Sequence, residues 1–217
     1  MAPKTRIRHD FDVRQTATVL GPNLAQRAGR LLWLPMLVMA LMAFPVALGL
    51  AFVRAAAVAN GGSPVSAAAL GQFEVAAMFL GFATVFAAIS FAIARILGVL
   101  RKGGGEVQEA AGRAVQWLPM PLTGWLFLGL MMMAMMMILV AVAVHVVLGV
   151  QLLSGSASLS MVQSWSEWLE GLRRLGASTY LLAIALGLAS IVRTLHFQSV
   201  RLRELPRQPH VATQPVA

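Results

Sequence analysis

The feature that most constrains this chain is Gly124–Val150, GWLFLGLMMMAMMMILVAVAVHVVLGV, a run of 27 residues without a formal charge. An α-helix of about 20 apolar residues crosses the hydrocarbon core of a bilayer. A backbone in lipid must satisfy its own N–H and C=O groups, and a helix does so internally. The run therefore commits the chain to the membrane. Composition agrees, with 59% hydrophobic and 12% charged residues, against about 25% charged in a soluble domain. Few polar side chains are left to line a catalytic cleft. The GxSxG, HExxH and GxxxxGK[ST] signatures are all missing, so enzyme activity is not expected. Cysteine is absent, which excludes disulfides, thiolate catalysis and Cys-ligated zinc or iron–sulfur clusters.

Hydropathy predicts an all-α integral membrane protein with four transmembrane helices in a bundle, at about 31–53, 72–97, 122–148 and 178–200. Residues 1–30 form a basic tail, in which Ile7, His9, Phe11 and Val13 alternate with charged neighbours; an isolated strand is not stable. The first span exceeds the 7–15 apolar residues of a signal sequence and is expected to be retained. Pro45 falls in its middle and predicts a kink. Asn60–Pro64 reads as a turn, and 106–118 as a short surface helix. In 159–175, Met161, Trp165, Trp168, Leu169, Leu172 and Leu175 recur at helical spacing, opposite Gln163, Glu167, Glu170, Arg173 and Arg174. This pattern predicts a separate amphipathic helix in the membrane interface, ended by Gly176. Residues 201–217 form a second basic, proline-containing tail.

The net charge of +9 does not point to nucleic acid, because the basic residues flank the apolar runs. Lysine and arginine concentrate in cytoplasmic loops. Lys4, Arg6, Arg8, Arg14, Arg27 and Arg30 precede the first span; Arg101, Lys102 and Arg113 lie between the second and third; Arg201, Arg203 and Arg207 follow the fourth. Both termini are therefore expected on the cytoplasmic side of an inner or plasma membrane.

Small residues four apart let membrane helices approach closely, which selects Ala77/Gly81 and Ala83/Ala87 on the second span and Ala183/Gly187 on the fourth. Arg54 and Glu74 fall at one outer boundary and are expected to pair. Arg95, Arg193 and His196 form a basic cluster at the inner boundary, where long side chains snorkel to headgroups. Met132, Met136 and His145 are the candidate metal ligands, since thioethers select Cu(I). The Met131–Met137 run resembles the MxxxM motif of the high-affinity trimeric copper transporters, and that resemblance implies Cu(I) ligation by Met132 and Met136. The chain lacks that family's three-span layout and Met-rich external tail. Six methionines also point all round the helix, as packing residues do. His145 and His196 differ in depth by roughly 20 Å at 1.5 Å per residue, too far to share a haem, and no cofactor is expected.

These features favour a non-catalytic membrane subunit or scaffold, packed through its Ala/Gly faces against itself or other membrane subunits, with lipid as its remaining partner. A small transporter or channel, including one for Cu(I), and an electron-transfer subunit are the alternatives.

Overall fold

A computed structural model describes residues 24–101, 110 and 119–204. The alternating N-terminal segment, the bulk of the 106–118 surface helix and the tail beyond residue 204 lie outside the described residues. The fold is all-helical: α1 (Leu24–Ala59), α2 (Pro64–Leu100), α3 (Leu122–Leu153) and α4 (Leu159–Glu204). All four are long and apolar enough to cross a membrane, and no strand occurs among the described residues.

Each helix outruns the span predicted for it. Ala, Leu, Gln and Arg at 24–30 and the Ala-rich 54–59 are strong helix formers, so α1 extends past both ends of its apolar stretch. It continues through Pro35 and Pro45, both exposed. Two similar turns reverse the chain. Gly61 and Gly155 each adopt φ 72°, the left-handed conformation that glycine takes without Cβ cost. In the first turn Gly61 N–H donates to Val58 O at 3.2 Å and Gly62 N–H to Ala57 O at 2.8 Å. In the second, Gly155 N–H donates to Leu152 O at 3.2 Å and Ser156 N–H to Gln151 O at 3.0 Å. Both are Schellman caps, which satisfy the last carbonyls of the preceding helix.

The separate amphipathic helix expected at 159–175 is not present. That segment is the first part of α4, a single helix of 46 residues, about 69 Å long. Gly176 does not stop it. A Cβ at Gly176 would lie 2.8 Å from Ile138 Cγ1, so the glycine marks a close approach to α3. The apolar side of the segment docks partly on protein, where Val162 and Leu169 are buried with Ala69, Ala141, Leu148 and Leu152.

α2 and α4 run parallel, both starting at the end that carries the two turns, and α3 runs antiparallel beside them. Contacts between α2 and α4 recur every seven residues: Gln72 with Ser166, Phe79 with Arg173, Phe86 with Tyr180 and Ile93 with Gly187. A seven-residue step is the 3.5-residue period of a left-handed helix pair. α3 fills the groove they leave, with Phe127, Met131, Ala134 and Ile138 buried there. α1 packs on the far side of α2, through Gln26, Gly29, Ala40, Ala43 and Ala47. Most of its other side chains are exposed.

Candidate functional site

Burying a polar side chain among apolar helices costs free energy unless it is hydrogen-bonded. One group of bonded polar side chains joins α2, α3 and α4 near the turn end. Arg173 Nη1 donates to His145 Nε2 at 3.1 Å. His145 Nε2 is therefore the acceptor and its proton sits on Nδ1, which lies 2.6 Å from Gln72 Oε1 and donates to it. Gln72 Nε2 donates to Ser166 Oγ at 3.1 Å, and the Ser166 hydroxyl donates to Val162 O at 2.9 Å. The bonds run in one direction, from a guanidinium through a neutral imidazole, an amide and a hydroxyl to a backbone carbonyl. Bonds aligned in this way polarise one another.

The charge at the head of this chain is compensated locally. Arg173 pairs with Glu170 one turn back on α4, and Arg174 Nε donates to Glu170 Oε1 at 2.7 Å. The Arg173 guanidinium also lies 4.5 Å from the centroid of the Phe79 ring, a cation–π contact. Arg173 Nε is buried without an acceptor. Helical side chains tilt toward the helix N-terminus, and α4 begins at the turn end. Arg173 thus reaches toward that end from a deeper backbone position. His145 itself is 2% exposed.

The other candidate residues are placed as follows. Arg54 Nη1 lies 3.0 Å from Glu74 Oε2 across α1 and α2, near the turn end. Arg95, Arg193 and His196 are exposed at the opposite end. The Arg95 guanidinium sits 5.7 Å from the Trp33 ring centroid. Met132 and Met136 are each 58% exposed on the outside of α3, while His145 points into the core, so these three do not converge. His196 lies 23 residues beyond Arg173 on α4, about 35 Å along the helix from the residue that holds His145. Among the described residues no cluster of histidine and carboxylate side chains forms a metal site.

Of the small residues, Gly81 and Gly187 lie at close helix contacts inside the chain. A Cβ at Gly81 would lie 2.9 Å from the Phe44 ring of α1, and one at Gly187 2.9 Å from Ile93 and 3.1 Å from Phe127. Ala83, Ala87 and Ala183 are buried and Ala77 is half-buried.

Gln72, Ser166 and the inward orientation of Arg173 escaped the sequence reading. The usable signal was the pair of seven-residue stripes, Gln72–Phe79–Phe86–Ile93 and Ser166–Arg173–Tyr180–Gly187, each carrying a polar residue at its turn-end position. Compared with protein-family models, curated proteins and solved structures, the chain finds no match.

Proposed function

We infer that the protein is a non-catalytic four-span membrane subunit, a scaffold that works within a membrane complex or homo-oligomer, with both termini on the cytoplasmic side. Two polar belts support the embedding. From Glu74 to Arg95, α2 rises about 32 Å, and the parallel α4 sets Trp168 level with Glu74 and Ala189 level with Arg95. That rise matches a hydrocarbon core of about 30 Å. The turn end is then the outer face. Its arginines sit beside glutamates, Arg54 with Glu74 and Arg173 and Arg174 with Glu170. The opposite end carries Arg27, Arg30, Arg95, Arg101, Arg193 and Arg203, as a cytoplasmic face does. On this placement Trp165 and Trp168, exposed on the first turns of α4, fall at the outer headgroup layer, where tryptophan is enriched. That keeps an interfacial role for 159–175 without a separate helix.

The observation that carries the scaffold reading is the polar chain through Arg173, His145, Gln72 and Ser166. Its members bond to one another across three helices, which fixes their mutual register. The test is extraction from native membranes in mild detergent, followed by light scattering and mass spectrometry. A stoichiometric partner or a defined oligomer is expected. A monodisperse monomer without a partner would overturn the reading.

A further inference from the structure

The two helical hairpins, α1–α2 and α3–α4, repeat the same local features at a nearly constant shift. Gly61 and Gly155, the two left-handed glycines, are 94 positions apart. The paired turn bonds keep the same shift: Asn60 N–H to Ala56 O at 3.0 Å matches Ser154 N–H to Val150 O at 3.0 Å. The second turn then holds one extra residue, and the shift becomes 95. Ala67 N–H to Ser63 O at 3.1 Å matches Val162 N–H to Ser158 O at 3.1 Å. Packing inside each hairpin repeats as well. Gly81 lies against Phe44, and its equivalent Gly176 lies against Ile138, the equivalent of Phe44. The hydroxyls of Thr84 and Thr179 donate to the equivalent carbonyls of Leu80 and Leu175. Ala40 and Ala47 are buried as Ala134 and Ala141 are.

The hairpins differ in what covers them. On α2 the stripe Ala69–Ala76–Ala83–Ser90–Leu97 is buried, with Ala69, Ala83 and Leu97 in the cores shared with α3. Its equivalents on α4 are Ser164, Gly171, Ser178, Ala185 and Val192, and all five are exposed. The reverse holds for the covering helix. On α3, Leu128, Met135 and Val142 pack against the core and Gly149 lies 2.8 Å, at its added Cβ, from Phe73 of α2. Their equivalents on α1, Leu34, Leu41, Leu48 and Ala55, are all exposed. Within one chain the unit is therefore docked once, α3 onto α2, and the two matching halves of the next docking are left open at opposite edges.

We propose that α1 of a second copy covers α4 as α3 covers α2, so that the chain associates head to tail with itself. This deepens the subunit reading, on which it rests, by naming the partner. The interface is heterologous, with different surfaces meeting, and such interfaces close into rings when the rotation allows. Small residues on the α4 stripe admit close helix approach in lipid, and the larger Leu34, Leu41 and Leu48 supply the ridge. The register follows from α2 and α3. His145 opposite Gln72 translates to Ala51 opposite Glu167, and ten residues on, Leu41 falls opposite Ser178 to within one residue.

The chain has no native cysteine, so disulfide crosslinking reads this contact directly. Full-length Leu41→Cys with one tag and Ser178→Cys with another are co-expressed and oxidised in native membranes. Met39→Cys, exposed on a different flank of α1 at similar depth, replaces Leu41→Cys as the control. Expected is a reducible heterodimer of the two tags, at least tenfold above the Met39→Cys control, and the same for Leu34→Cys with Ala185→Cys. If neither pair links while a different protein co-purifies stoichiometrically, the head-to-tail contact is refuted and the subunit reading survives. A partnerless monomer refutes both. In a third sample, one chain carries both Leu41→Cys and Ser178→Cys; a disulfide formed there only within single chains also refutes the proposal, because α1 then folds back to cover its own α4.

Discussion

Removing both ends of the Arg173–His145 bond should destabilise the bundle by clearly less than the sum of removing each end alone. His145→Leu deprives the Arg173 guanidinium of its acceptor at 3.1 Å and Gln72 Oε1 of its donor at 2.6 Å. A hydrogen bond to a charged group contributes about 1.5–3 kcal/mol and a neutral one about 0.5–1.5, so the single change should cost about 2–4 kcal/mol. Arg173→Met keeps the length of the stem but leaves His145 Nε2 buried without a donor, and it loses the contact with Phe79, worth about 0.5–2 kcal/mol. It should cost about 2–5 kcal/mol. The double variant loses the shared bond once rather than twice, so the cycle should show a coupling of about 1.5–3 kcal/mol, near a tenfold change or more in the folding equilibrium. The assay is reversible unfolding in mixed micelles of mild detergent and dodecyl sulfate, followed by fluorescence of the five tryptophans. Thr123→Val supplies a distant reference, since its hydroxyl bonds to Ser190 at 2.8 Å at the other end of α3. Additivity of Arg173→Met and His145→Leu within about 0.5 kcal/mol would show that the two side chains do not act as a unit.

Two further outcomes test the packing and the orientation. Gly176→Ala should destabilise by about 1–3 kcal/mol through overpacking against Ile138, whereas Gly49→Ala, with nothing within 4 Å, should be neutral or stabilising by up to about 1 kcal/mol; equal effects on unfolding would undo the close-approach argument. In intact cells, a membrane-impermeant maleimide should label Asn60→Cys and Ser156→Cys, and should reach Arg203→Cys only after permeabilisation; the opposite pattern would invert the topology.

The four apolar helices were legible in the sequence because length and hydropathy decide them almost alone. Their ends were not. Lipid demands apolar residues, but a helix continues through any good helix former, and Arg54-Ala55-Ala56-Ala57 extends α1 as readily as leucine would. Gly176 shows a second limit. A glycine after an amphipathic run reads as a stop when the chain is taken locally, and only the neighbouring helix reveals that its missing side chain makes room for Ile138. Arg173 shows a third. Its position on the polar side of an amphipathic wheel is correct for an isolated helix, yet α2 and α3 cover that side and supply His145 and Phe79. The Arg54 and Glu74 positions, by contrast, followed from counting residues to each side of one short turn. The correspondence of the two hairpins stayed hidden because most matched positions differ in residue type, Gly81 and Gly176 or Thr84 and Thr179 being among the exceptions, and because one added residue changes the shift between halves.

That added residue lies in the turn, between Gly155 and Leu159, and its location carries a rule about which length changes the chain can absorb. A residue gained in the turn leaves every seven-residue stripe of α4 facing as before. The same gain inside α4, anywhere between Ser166 and Tyr180, would rotate the rest of the helix by about 100°. Tyr180 would leave the Phe86 ring that it stacks on at 5.2 Å, and its hydroxyl would leave Met135 Sδ at 2.9 Å. The turns are thus the places where this chain can lengthen freely, and the stripe between α2 and α4 behaves as a ruler whose spacing admits no error.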